Sequence, residues 1–119
     1  VASFQCAPRL AVYSATKAYV TSLTESLHEE ARGTGVKVTA LCPGLTRTEF
    51  QSVSNTDGYA TRYPRFAWTS AEMVARVGLR DVARGKCLSV PGGVYKALVA
   101  VSNVAPRSFT RRLVATIQP

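Results

Sequence analysis

Apolar positions return along this chain at two different spacings, and polar breaks separate the stretches. Between about Val12 and Arg32, Tyr19, Leu23 and Leu27 recur every fourth residue while Glu25, Glu29 and Glu30 lie off that stripe, the pattern of an amphipathic helix. Gly33 follows as its left-handed stop. The run from Val36 to Cys42 is short, β-branched and apolar, which predicts a buried parallel strand that Pro43-Gly44 ends abruptly. Thr69-Ser70-Ala71-Glu72 has the form of a capping box with Thr69 as the cap. It opens a helix through Met73, Val74, Val77 and Leu79 to about Arg84, with Gly85 as the stop, and Cys87 to Val90 is the next strand. From Val94 to Ile117 the pattern gives two short helices broken at Pro106. Residues 1–11 read as the end of a buried strand and a loop, interrupted at Pro8.

Tyr13 and Lys17 open the first helix four residues apart. That is slightly more than one turn, so a phenol and an ammonium share one face and can meet one ligand. A free phenol titrates near ~10 and is a poor proton donor or acceptor at neutral pH; a nearby positive charge favours its ionised form. The bland reading is a ring packed on the body and a lysine reaching into water. The residues downstream decide between them. Tyr13-Ser14-Ala15-Thr16-Lys17-Ala18 leads through Leu23, Leu27, Gly33 and Val38 to Cys42-Pro43-Gly44-Leu45-Thr46-Arg47-Thr48.

In that order and spacing the run resembles the second half of the short-chain dehydrogenase/reductase family, whose signature is Tyr-x-x-x-Lys followed by a strand ending in Pro-Gly. The likeness is strong from Tyr13 to Thr48 and looser through Gly85 to Val90-Pro91-Gly92. It implies an α/β fold: the C-terminal part of a Rossmann-like, doubly wound parallel sheet with C-terminal helices, residues 1–119 forming one partial NAD(P)-binding domain. It implies hydride transfer between NAD or NADP and a carbonyl/alcohol substrate, with Tyr13 as general acid/base and Lys17 supporting the phenolate and holding the nicotinamide ribose. Pro43, Gly44, Thr46 and Thr48 then line the nicotinamide side. A homo-oligomer is implied in the same way. The family's serine falls roughly thirteen positions before the tyrosine, just ahead of Val1, so Ser3 is not assigned to it. A non-catalytic cofactor-binding or scaffolding relative of the same fold is the alternative.

Length bears on this. The 119 residues suffice for one small domain but not for a complete doubly wound fold, and nothing ahead of Tyr13 resembles a glycine-rich phosphate loop. The expectation is a C-terminal half of a longer protein, unstable or aggregated by itself. Because the ribose-reading position of such folds belongs to the first half, NAD and NADP are not distinguished.

Charge changes the picture little. Fifteen Lys and Arg against seven Asp and Glu leave a net charge of +8. The arginines are scattered, without a dense tract or a zinc-finger or RNP-like motif, so the reading is solvated surface and no nucleic-acid partner. Cys6, Cys42 and Cys87 lack Cys-x-x-Cys spacing, which predicts no metal and no disulfide framework, fits a reducing cytoplasmic setting, and makes Cys42 a small core residue. His28 reads as a surface residue near the helix end rather than a ligand.

Two segments stay open. Residues 49–68 mix Ser52, Ser54, Asn55, Asp57 and Gly58 with Tyr59, Tyr63, Phe66 and Trp68, as in a mobile substrate lid or in aromatics packed on a neighbouring subunit. The tail carries Leu98, Val101, Val104, Phe109 and Leu113 beside Lys96, Arg107, Arg111 and Arg112. It fits packing on the body or an oligomer partner better than a peripheral membrane contact or a cover for a lipophilic substrate. No apolar run reaches the ~20 residues that cross a bilayer.

Overall fold

Twenty residues with helix-compatible side chains and no internal glycine or proline make the longest element, helix α1, Ala11–Glu30. A computed structural model describes residues 2–4, 10–49 and 64–117 of the chain. After α1 come strands β1, Ala40–Leu41, and β2, Thr46–Arg47, then β3, Thr69–Ser70, helix α2, Ala71–Ala83, strand β4, Leu88–Ser89, and helices α3, Gly93–Val104, and α4, Arg107–Ile117. Short 3-10 turns cover Ala2–Phe4 and Arg65–Ala67. The strand end expected within residues 1–11 is absent from the part that is described, which holds the first of these turns and the start of α1.

Helix α1 ends in a turn at Ala31 to Gly33, where Gly33 takes φ 82°, a conformation that side chains with a Cβ avoid. The stop at Gly85 and the break at Pro106 also fall where the pattern puts them. The cap of α2 does not. Ser70 is the N-cap, accepting from the Met73 amide at 3.2 Å, while the Thr69 hydroxyl donates to the Leu45 carbonyl at 3.1 Å. Thr69 is instead a strand residue: its amide donates to the Leu45 carbonyl at 2.9 Å, and once the backbone is committed to that ladder the next residue takes the cap.

The strands form two separate two-stranded parallel sheets. β1 pairs with β4, Ala40 opposite Leu88 and Leu41 opposite Ser89, and β2 pairs with β3, Thr46 opposite Thr69 and Arg47 opposite Ser70. Parallel neighbours need a long crossover, and α2 supplies it between β1 and β4. The expected strands at Val36–Cys42 and Cys87–Val90 are each cut to two residues, because pairing exists only where the two meet, fastened by Ala40 N–H to Cys87 O and Cys42 N–H to Ser89 O, both 2.8 Å. Val36 is 64% exposed rather than buried. Ahead of β1, the Lys37 ammonium donates to the Ala83 carbonyl and the Thr39 hydroxyl donates to the Lys86 carbonyl at 2.6 Å, tying that extended stretch to the end of α2.

The core gathers Ala40, Cys42, Val90, Tyr95 and Val99, with Phe4, Leu45 and Leu88 packed against it. Cys42 is a core residue as its surroundings predict. The face of α1 toward the body is not the apolar stripe. Ser14 and Thr21 are buried and Thr24 and His28 half-buried, while Tyr19, Leu23 and Leu27 are 68%, 43% and 42% exposed. Spacing alone shows that a helix has two faces, and here it is the small, polar one that turns to β1. His28 is half-buried rather than free in solvent: its Nδ1 lies 2.7 Å from the Val38 carbonyl and binds α1 to the stretch before β1.

The connection between β4 and α2 holds a buried carboxylate. The Asp81 side chain is 1% exposed; its Oδ2 accepts from the Ser89 hydroxyl at 2.8 Å, and Oδ1 pairs with the Lys86 ammonium at 3.1 Å and more loosely with Arg80 at 3.5 Å. The Ser89 hydrogen bond holds the Asp81 carboxyl below its ordinary 3.8; burial opposes this, and the charges of Lys86 and Arg80 reinforce it.

Candidate active site

A cleft of about 500 Å³ opens between the polar face of α1 and the carboxyl end of β1, the end at which open α/β sheets take their ligands. From α1 it is lined by Tyr13, Lys17, Val20, Thr21 and Thr24, and from β1 and the turn beyond it by Thr39 to Leu45. Ser3 and Tyr95 complete the wall. Four of the six residues singled out from the sequence thus meet in one cavity: Tyr13, Lys17, Pro43 and Gly44.

Tyr13 is 44% exposed, and the Lys17 Nζ lies 5.5 Å from the centre of its ring. That is within cation–π range, and it keeps a positive charge beside the phenol. Tyr13 stands in the first turn of α1, which begins after Leu10, whose carbonyl accepts the Ser14 amide at 2.9 Å. Thr21 secures the helix wall through its hydroxyl, which donates to the Lys17 carbonyl at 3.1 Å.

Thr46 and Thr48 lie outside this lining. Thr46 is in β2, its hydroxyl 3.2 Å from the Gly44 carbonyl and 3.4 Å from the Thr69 hydroxyl, and Thr48 is exposed beyond the strand. Most of the 49–68 segment falls outside the described residues. Of its aromatics, Phe66 is 76% exposed and Trp68 half-buried. Cys6 also lies outside them. Among the described residues no group of three metal-ligating side chains occurs, and no helix is long and apolar enough to cross a membrane.

Tyr95, near the start of α3, escapes a reading by motif. It is 9% exposed, its hydroxyl accepts from the Leu45 amide at 3.0 Å and donates to the Ala67 carbonyl at 2.7 Å, and its ring occupies the space a side chain at position 44 would need. The available signal is a lone phenol in an otherwise apolar helix start, Gly93-Val94-Tyr95, since a buried tyrosine hydroxyl demands partners.

Relatives bear on the same segment. Residues 1–58 match the family model described as short chain dehydrogenase, which takes in Tyr13 to Thr48 but not the looser likeness read from Gly85 to Gly92. An uncharacterized oxidoreductase of Myxococcus xanthus (strain DK1622) is 44% identical over 45 residues, 38% of this chain and 18% of that protein. An uncharacterized oxidoreductase of Staphylococcus aureus (strain USA300) is 38% identical over 55 residues, 46% of this chain and 24% of that protein. The matched stretch therefore spans a quarter or less of the length of these relatives. No solved structure matches the chain. Residues 1–58, which bring the Tyr-x-x-x-Lys helix, the parallel strand and the Pro-Gly turn around one cleft, are thus similar to the short chain dehydrogenase family.

Proposed function

We propose that this segment is the catalytic half of an NAD(P)-dependent oxidoreductase that acts on a carbonyl/alcohol pair. The observation that carries the reading is the meeting of Tyr13, Lys17, Pro43 and Gly44 in one cleft at a strand's carboxyl end. The donor set suits a nicotinamide nucleotide: an ammonium for ribose hydroxyls, a phenol at the cleft mouth, and an apolar floor of Pro43, Gly44 and Leu45 for a flat ring. When bound, the nicotinamide supplies or accepts the hydride.

The chain's own part is the proton. During reduction the Tyr13 hydroxyl donates to the substrate's carbonyl oxygen, and during oxidation the phenolate takes the alcohol proton. Lys17, its ammonium 5.5 Å from the centre of the Tyr13 ring, binds the ribose hydroxyls. The Pro43-Gly44 turn bounds the ring's side of the cleft. A cytoplasmic setting and a homo-oligomer belong to the same proposal, and the likeness of residues 1–58 to the short chain dehydrogenases supports them.

In the whole protein that carries this segment, Tyr13→Phe should lower kcat by at least the ~10²–10⁴ that positioned acid–base groups contribute, with NADH or NADPH binding retained. Turnover at the wild-type rate would reject the assignment. A non-catalytic relative, the second reading, would bind nucleotide yet show no nicotinamide turnover with any aldehyde or ketone tried.

A further inference from the structure

The turn that floors the cleft is held by the side chain of Tyr95, which also lines the cleft. Tyr95 reaches it from α3 with a single hydroxyl that takes the Leu45 amide at 3.0 Å and gives its proton to the Ala67 carbonyl at 2.7 Å. The hydroxyl thereby ties the residue after Gly44 to the stretch leading into β3. On the other side, the Leu45 carbonyl receives the Thr69 amide and hydroxyl at 2.9 and 3.1 Å. Leu45 is thus gripped through both its backbone groups.

The ring of Tyr95 explains the residue before it. A Cβ on Gly44 would stand 2.1 Å from Cε2 and Cζ of that ring, well inside contact distance. Glycine at a Pro-Gly turn reads naturally as room for a ligand's flat ring, but here the space behind Gly44 belongs to the protein's own phenol. Tyr95 packs in the core with Ala40, Cys42 and Val99 while also lining the cleft, and its two hydroxyl hydrogen bonds hold it in that position.

We infer that Tyr95 is a positioning residue: it fixes the Pro43-Gly44-Leu45 turn at the height where the turn supports a bound nicotinamide nucleotide, and position 44 is glycine because of it. The inference rests on the oxidoreductase reading for the identity of the ligand, and on the hydrogen bonds and the steric fit for the clamp itself. A turn freed on one side samples positions that fill or leave the ring's place, so its loss falls mainly on nucleotide binding. Tyr13 and Lys17 sit on α1, across the cleft, and keep their own geometry.

The test uses the whole protein, with NADH and NADPH as probes in fluorescence titration and hydrogen exchange on the peptide spanning residues 43–48. Tyr95→Phe keeps the ring but leaves the Leu45 amide without its acceptor; the nucleotide Kd should rise about tenfold, the nucleotide KM should carry the larger share of the lost kcat/KM, and exchange at Leu45 should accelerate. Gly44→Ala should weaken binding at least as much. Removing the obstructing ring in Gly44→Ala/Tyr95→Leu should make the double variant bind better than the losses of Gly44→Ala and Tyr95→Leu, each measured alone, sum to predict. An unchanged Kd in Tyr95→Phe, or a Gly44→Ala protein that binds like wild type, overturns the clamp. If wild type binds neither nucleotide, the oxidoreductase reading falls and takes the ligand role with it, whereas unchanged Leu45 exchange in Tyr95→Phe removes the clamp alone.

Discussion

Removing the Asp81 carboxylate and the Ser89 hydroxyl, singly and together, gives the sharpest test of how α2 is fastened to β4. Ser89 is fully buried, so a hydroxyl that loses its acceptor cannot turn to water, and an orphaned buried polar group costs about 1–3 kcal/mol. Lys86 and Arg80 are 45% and 48% exposed and can be re-solvated, so each of those pairs adds no more than about 1 kcal/mol. Asp81→Ala should therefore destabilise by about 2–4 kcal/mol. Ser89→Ala should cost less, about 1–2 kcal/mol, because Asp81 keeps its two cations. In the double variant neither partner is left orphaned, so its cost should undercut the sum by about 1–2 kcal/mol. The assay is urea unfolding of the whole protein at pH 7, comparing midpoints at constant slope. Additivity within about 0.5 kcal/mol would mean that the 2.8 Å contact does not couple the helix to the strand, and the argument from burial would fail.

Other groups of the same structure give four more expected outcomes. The Asp81 carboxyl is depressed below its ordinary 3.8, so the unfolded chain binds that proton at a higher pH than the folded one; the stability it adds is complete above about pH 5 and is lost as pH falls through 3.8 toward the folded value, and Asp81→Ala should flatten that acid limb of the unfolding curve. The Cys87 thiol is pushed up from 9.0 by burial, with Glu25 and Glu29 adding to the effect, so iodoacetamide at pH 8 should label it more slowly than a free cysteine; equal rates by mass spectrometry would contradict the placement. Ser70→Ala should destabilise by about 0.5–2 kcal/mol through the lost cap, in thermal unfolding, with Thr69 unable to substitute because its hydroxyl serves Leu45. Gly78→Ala should be neutral or stabilise by up to about 1 kcal/mol, since helix propensity gains while the new methyl meets only the tip of the half-exposed Leu41 side chain at 3.2 Å; a clear loss would show Leu41 to be immovable.

Local physics made much of this molecule readable in advance. Helix ends at Gly33 and Gly85 and the break at Pro106 are backbone properties of single residues, so they survive any packing. The four-residue spacing of Tyr13 and Lys17, and the Pro43-Gly44 stop, are likewise legible within one or two turns of chain, and all four residues line the cleft. What tertiary structure alone decided depends on partners far away in sequence. Strand lengths shrank to two residues because hydrogen-bonded neighbours exist only at Ala40–Leu41 and Leu88–Ser89. The cap moved from Thr69 to Ser70 because Leu45 claimed Thr69. Periodicity found the two faces of α1 but could not say which would meet β1, since that depends on what stands opposite. Tyr95, fifty residues beyond Leu45, has no motif at all; only the fold brings its hydroxyl to the turn and makes the absent side chain of Gly44 a steric necessity.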